Sequence, residues 1–378
     1  MSDTSTGAPA PASPSSTLAT PLSALIAEHI KAAGGWIGFE RYMQLALYTP
    51  GLGYYAGGRR KFGLMPESGS DFVTAPELSP LFGRALARQL AQALAATGTT
   101  QVYEFGAGSG ALAAQLLEAL GDQLKRYCIV DLSGELRQRQ SERLAPWADK
   151  VEWLERLPEA IEGVLIGNEV LDAMPVQLLR WDGRQWLERG VGVDGDGFQW
   201  VDRPTNAPQG LDAELRAGLV PGSLVEIHGQ AEAFVATLAR QLRRGAIFLI
   251  DYGFPEREYY HPERSGGTLM CHHLHRADPD PLSLVGDKDI TVHINFTGVA
   301  LAGQDAGLTV LGYTSQANFL INCGLVELLA EADLPTRSMA HKLIAEHEMG
   351  ELFKVIGFAA GEGFDALGFS AGDRSHML

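Results

Sequence analysis

Hydrophobic and polar positions along the chain follow two rhythms. Near the start, "PLSALIAEHIKAAGG" sets Leu22, Leu25, Ile26 and Ile30 at helical spacing and ends on Gly34-Gly35, which predicts a helix. "FERYMQLALY" predicts a second helix and "LFGRALARQLAQAL" a third. From residue 101 the rhythm alternates. "QVYEFG", "RYCIVDLS", "VEWLERL", "GVLIGNEV" and "AIFLIDYG" read as strands, and "ALAAQLLEAL", "ELRQRQSERL" and "GQAEAFVATLARQLRRG" read as helices among them. Leu112, Leu116, Leu117 and Leu120 share one helix face. Apolar strands alternating with helices predict an α/β fold: a parallel, Rossmann-like sheet covered on both faces. "LTVLGYTS" then reads as a strand and "QANFLINCGLVELLAEA" as one helix.

Two stretches interrupt this pattern. Residues 178–203, "LLRWDGRQWLERGVGVDGDGFQWVDR", hold Asp-Gly turns between alternating segments and predict an inserted β-hairpin or meander. Residues 255–295 are rich in His, Pro and Asp, with "GGTLMCHHLH" and "DITVHINF" as strand segments. Ahead of both, "TPGLGYYAGGRRKFGLMPESGSDFVTAPELSP" is a long Gly- and Pro-dense loop. Its Tyr54, Tyr55, Phe62 and Phe72 favour an ordered functional loop over a linker. The expected division is a disordered tail over 1–20, a helical N-terminal part and cofactor lid over 21–95, and one catalytic domain over 96–378. That domain carries insertions at about 178–225 and 255–300.

Composition narrows the partners. The 378 residues are 46% hydrophobic and 20% charged, ordinary for a globular protein. A formal charge of −16 argues against nucleic acid, whose phosphates need clustered Lys and Arg. Cys128, Cys271 and Cys323 are far apart, which fits inert thiols in a reducing compartment. The first twenty residues contain no Lys or Arg, so neither a secretory signal nor a mitochondrial presequence is recognisable there. No apolar run approaches a membrane span. The expectation is a cytoplasmic protein that binds neither membrane nor nucleic acid. The 178–203 hairpin offers a candidate homodimer contact.

The chemistry centres on "YEFGAGSGALA", residues 103–113, where Gly106, Gly108 and Gly110 sit between a strand and a helix. Glycines let the backbone turn sharply and approach a ligand, although the spacing alone also suits a purely structural turn. The dinucleotide fingerprint places its third glycine one residue later. Glu104, just before the glycines, would repel a pyrophosphate and suits the ammonium and sulfonium of S-adenosyl-L-methionine. Asp131 ends the next strand, where an acid can take both ribose hydroxyls of either cofactor class. "GNEVLDAMPV" follows the fourth strand, so Asn168, Glu169 and Asp172 fall at the carboxyl edge of the sheet, where ligands bind. Asp251 and Tyr252 of "DYG" reach the same cleft. His261, Cys271, His272, His273, His275 and His293 match no common zinc spacing, and His272 and His273 on one strand would face opposite ways. No metal is expected. Lining of the acceptor pocket suits His272 or His293 better.

Eight blocks in order carry a resemblance: "LYTPGLGYY", "GSDFVTAPELSPLFG", "YEFGAGSGALA", "GNEVLDAMPV", "LIDYGF", "GGTLMCHHLHRADPDPL", "DITVHINFT" and "MGELFKVIGF". Together they resemble the MidA-like class I S-adenosylmethionine-dependent methyltransferases, from about residue 20 to the end. The resemblance implies a seven-stranded methyltransferase fold with an added helical N-terminal part. It also implies an arginine of a protein substrate as the methyl acceptor, since mitochondrial members of the family act there. It matches Gly106, Gly108 and Asp131 to the cofactor-binding motifs, sets the "DFVTAPE" block, Asp71 to Glu77, near the cofactor, and matches Asn168 and Glu169 to the motif facing the acceptor. Together with the reading of the residues, the expected cofactor contacts are Glu104, Gly106, Ala107, Gly108, Gly110, Asp131, Leu132 and Glu77, and the expected acceptor residues are Asn168, Glu169 and Asp172. Glu169 is the first residue expected to grip the guanidinium, with Asp172 or Glu77 as the second. "CHHLHRADPD" departs from the more basic and aromatic pattern of that segment, which bears on substrate identity. Two other functions stay open at this point: an NAD(P)-dependent oxidoreductase, and an assembly or scaffold factor with vestigial activity.

Overall fold

The computed structural model describes residues 18, 20–57, 73–131, 134–208 and 213–378. At its centre lies a sheet with seven principal strands: β1 Gln101–Phe105, β2 Arg126–Val130, β3 Val151–Leu154, β4 Ile161–Asn168, β5 Leu242–Phe254, β6 Leu308–Ser315 and β7 Phe353–Ala360. Their spatial order is β6-β7-β5-β4-β1-β2-β3, and Ile294–Asn295 adds a short eighth strand beside β5. Strands β1 to β5 pair in parallel, whereas β7 runs antiparallel to both β5 and β6. This is the open α/β sheet that the alternating pattern predicts. Its order reverses between β1 and β4, and a crevice for ligands opens at such a switch point.

Alternation along the strands fills both faces. Val102, Ile166 and Phe248 pack on one side with the helices Pro80–Thr97 and Ala111–Leu120. Tyr103, Leu165 and Ile247 pack on the other with the helices Gly229–Gln241 and Phe296–Asp305. Pro80–Thr97 starts at Ser79, whose side chain accepts from the Leu81 amide, and stops at left-handed Gly98. Although it precedes the first central strand in sequence, this helix packs as part of the central layer. The segment read as one helix over 316–332 is two, Gln316–Asn322 and Leu325–Glu331. Gly324, at φ +78°, ends the first and turns the chain into the second.

The two interruptions become small sheets. Strands Gln177–Trp181, Trp186–Asp194, Gly197–Thr205 and Leu224–Ile227 form an antiparallel sheet, joined at one edge by Ile37–Gly38. The Asp182-Gly183 turn is held by the Asp182 carboxylate, which accepts from the amides of Arg184 and Gln185 at 2.7 and 2.8 Å. Met270–His273, Arg276–Asp278 and Asp289–Thr291 form a three-stranded sheet. Both inserts share a third apolar cluster with the N-terminal helices, through Ile26, Phe39, Tyr42, Val176, Val191 and Ile290. The N-terminal helices and the inserts are thereby packed together over one end of the central sheet. Most of the expected tail lies outside the described residues. So do Phe62, Phe72 and Asp71 of the long loop.

Candidate active site

A cavity of about 1420 Å³ opens at the carboxyl edge of β1, β4 and β5. One half belongs to the glycine loop. Gly106, Gly108 and Gly110 stand at φ +62°, +52° and +79°, in the left-handed region that residues with a Cβ avoid. A Cβ on Gly106 would lie 3.2 Å from the Val170 side chain. Gly106, Ala107 and Gly108 line the cavity, while Gly110 caps the helix Ala111–Leu120 behind them. Glu104, only 2% exposed, accepts from the Tyr127 hydroxyl at 2.7 Å. Burial pushes its carboxyl up to about 8; the Tyr127 bond opposes the rise and the nearby Asp131 charge adds to it.

Asp131 follows β2 and accepts from Gln140 Nε2 at 2.9 Å. The same nitrogen donates to the Gly108 carbonyl at 3.0 Å, and Trp153 Nε1 donates to Gln140 Oε1 at 2.9 Å. Gln140, which the sequence reading did not single out, thus ties the acid to the glycine loop. Leu132 lies outside the described residues. Glu77 is not among the residues found to line the cavity. It takes bonds from Ser109 Oγ and Arg143 Nη1, the second at 3.2 Å.

The other half is acidic. Just past β4, Asp251 Oδ2 accepts from the amides of Val170, Leu171 and Asp172 at 3.2, 2.9 and 3.2 Å, and its Oδ1 accepts from the Tyr252 amide. Asp251, fully buried at the end of β5, therefore shapes the 169–172 turn from below. Glu169 adopts φ +52° there, a left-handed conformation that costs a non-glycine residue about 1–2 kcal/mol. Asn168 Nδ2 donates to Glu169 Oε1 at 3.0 Å, and the Tyr252 hydroxyl donates to Asp172 Oδ2 at 2.5 Å. Among the described residues, Asn168 Oδ1 and Asp172 Oδ1 are buried without a hydrogen-bond donor. Burial, then the Asp172 charge, push Glu169 up to about 8; burial raises Asp172 to about 6 against the Tyr252 bond.

Further lining side chains come from the N-terminal loop and from the 255–295 insert, where His272 or His293 was the expected pocket residue. Tyr48 donates to the Ala173 carbonyl at 2.8 Å and stacks on Tyr55, with ring centres 5.6 Å apart. The Tyr55 hydroxyl lies 2.8 Å from both carboxylate oxygens of Asp289. His293 lines the cavity with its ring edge-on to Tyr252, and burial pushes its imidazole down to about 4, so it is neutral at pH 7. His272 lines the cavity as well, whereas His273 is turned to the Asp287 carbonyl. Among the described residues no group of three or more His, Cys, Asp or Glu could hold a metal ion. No helix among them is long and apolar enough to cross a membrane. The hallmark of this half is buried carboxylates concentrated on one space, with acceptor oxygens lacking donors. An entering cation with several N–H groups would relieve both conditions.

A family model for S-adenosyl-L-methionine-dependent methyltransferases matches residues 85–314. The chain belongs to that family. The methyltransferase is 51% identical to a Burkholderia thailandensis protein whose crystal structure is bound to S-adenosyl-homocysteine, with a TM-score of 0.91 over 99% of this chain and all of that one. It is 26% identical to the mitochondrial protein arginine methyltransferase NDUFAF7 of Danio rerio, over 85% of this chain and 83% of the relative. The mouse protein of the same name is 27% identical, over 88% and 83%. The dinucleotide alternative is thereby set aside: the methyltransferase uses S-adenosylmethionine.

Proposed function

We propose that the methyltransferase methylates a guanidinium nitrogen of an arginine in a protein substrate. One observation carries this reading: the donor-less Asn168 Oδ1 and Asp172 Oδ1 lie beside Glu169 on one turn at the cavity. Arginine brings five N–H donors, no acceptor and a permanent charge, which is the complement of that set. A lysine ammonium is a compact point charge and cannot bridge planar carboxylates as a fork does. Close relatives of this fold in vertebrate mitochondria are named protein arginine methyltransferases, which supports the same acceptor.

The chain's own groups divide the work. Gly106, Ala107 and Gly108 offer backbone close enough to cradle S-adenosylmethionine, and buried Glu104 suits its ammonium group. Asp131, which accepts from Gln140, suits ribose hydroxyls. When bound, the cofactor supplies a methyl group on a positive sulfur. Glu169 and Asp172 grip two guanidinium nitrogens and leave the third free to be aimed. Asp251 and Tyr252 fix that grip by holding the turn and one Asp172 oxygen. Glu169, raised toward neutral pH, is also matched to hold at its carboxylate the proton that the methylated nitrogen releases.

The test is a bacterial extract incubated with the enzyme and methyl-labelled cofactor, followed by acid hydrolysis and amino-acid analysis. Label is expected in methylarginine. Glu169→Gln should lower incorporation at least about a hundredfold while S-adenosylhomocysteine still binds. Label confined to other amino acids or to small molecules, or full transfer by the variant, would sink the reading.

A further inference from the structure

Asp289 stands on the last strand of the three-stranded insert, 2% exposed, and yet it lines the same cavity as Glu169 and Asp172. Three ties fix it there. The Val292 amide donates to the Asp172 carbonyl at 3.0 Å, so the insert strand is docked directly on the 169–172 turn. The Tyr55 hydroxyl spans both Asp289 oxygens at 2.8 Å. Tyr55 in turn stacks on Tyr48, whose hydroxyl holds the Ala173 carbonyl at the far end of that turn. Burial first, then the Asp289 and Asp172 charges, raise both tyrosine hydroxyls, and Asp289 adds a smaller push to the Glu169 carboxyl after burial and Asp172.

We propose that Asp289 is a third acceptor-binding carboxylate, held in place by Tyr55, and that it contacts the substrate guanidinium together with Glu169 and Asp172. This rests on the arginine reading above and deepens it. Acceptor recognition then needs all three parts of the chain: the N-terminal segment supplies Tyr55, the central sheet Glu169 and Asp172, and the insert Asp289. A purely structural Asp289 is the rival. It would serve only to seat Tyr55 and the small sheet.

Two variants separate these roles. Asp289→Asn keeps an oxygen for the Tyr55 hydroxyl and removes the charge; Tyr55→Phe keeps the charge and removes the hydroxyl. The enzyme is saturated with S-adenosylhomocysteine and titrated with N-acetylarginine methylamide, with the neutral isostere N-acetylcitrulline methylamide as control. The native protein should prefer the arginine probe. Asp289→Asn should cut that affinity roughly tenfold or more, as expected when a charge-assisted hydrogen bond to a buried acid is lost. Tyr55→Phe should cut it less. Neither variant should change S-adenosylhomocysteine affinity, and the melting temperature of Asp289→Asn should stay near native. Retention of the full arginine preference in Asp289→Asn would overturn the inference and leave the arginine reading intact. So would equal loss of melting temperature in both variants without any loss specific to arginine. If the native protein does not distinguish arginine from citrulline, the acceptor reading itself fails and this inference with it.

Discussion

The two halves of the cavity are built in opposite ways. The glycine-loop half comes from one run of chain: Glu104, the glycines, Asp131 and Gln140 all fall within 104–140, on consecutive strand, loop and helix segments. The acidic half is assembled from four separated places: Tyr48 and Tyr55, the turn 168–172, Asp251 and Tyr252, and Asp289 with His293. A group such as an adenosyl cofactor can be met by a local motif. An acceptor specific to one enzyme needs a pocket whose walls come from insertions, and insertions are where α/β enzymes differ.

The sharpest way to break that contrast is at Asp251. Its carboxylate accepts from three backbone amides of the turn in the acidic half, Val170, Leu171 and Asp172, and from the Tyr252 amide beside it. Asp251→Asn leaves one oxygen and turns an NH₂ toward amide donors, which should cost about 2–4 kcal/mol of stability. Methyl transfer should fall more than about a hundredfold, as the Asp172 and Glu169 positions relax. Affinity for S-adenosylhomocysteine, read by titration calorimetry below the lowered melting temperature, should stay within about threefold of native. A parallel collapse of cofactor affinity would mean that the halves are one unit.

A smaller effect tests what the halves share. Glu104 and Glu169 are both raised by burial from the ordinary 4.5 to about 8 in the folded protein. Between those values the unfolded chain has lost both protons and the folded chain keeps them, so stability falls as pH rises from about 5 to 8. Each group contributes up to about 1.4 kcal/mol per pH unit. Melting temperature without ligand should therefore drop across that window. Glu104→Gln and Glu169→Gln should each flatten the drop, and the double variant should flatten it further. Variant profiles that run parallel to the native one would show that these carboxyls are not raised.

How much of this was legible follows from the same contrast. The sheet could be read because apolar strands and amphipathic helices repeat with their own periods, and the loop because three glycines and an acid lie within seven residues. Glu169 and Asp172 were legible as residues that end a buried strand. Asp289 was not: in "DITVHINF" it looks like any polar residue starting a strand, and only the docking of Val292 on Asp172 brings it to the cavity. Tyr48 and Tyr55 read as ordering aromatics of a loop. Their hydroxyl partners lie more than a hundred residues away, at Ala173 and Asp289. The break at Gly324 was hidden inside a helical pattern because a lone glycine there costs only about 1 kcal/mol relative to alanine and does not by itself end a helix.

Glu77 gives the weakest expected effect and the cleanest check on which acids matter. Read from sequence, it could have been the second acid on the guanidinium. In the fold it is spent on the loop: Ser109 and Arg143 bond to it, and Arg143 also donates to Ser109 Oγ at 2.7 Å. The Arg143 side chain is 41% exposed, and pairs of that kind contribute about 0–1 kcal/mol. Glu77→Gln keeps an oxygen for Ser109 and loses only that pair. The apparent KM for cofactor should rise by no more than about threefold, with less change at higher salt, where the native pair is already screened. The apparent KM for acceptor should not move. A loss of acceptor affinity comparable to that of Asp289→Asn would place Glu77 on the substrate after all and redraw the boundary between the two halves at the glycine loop.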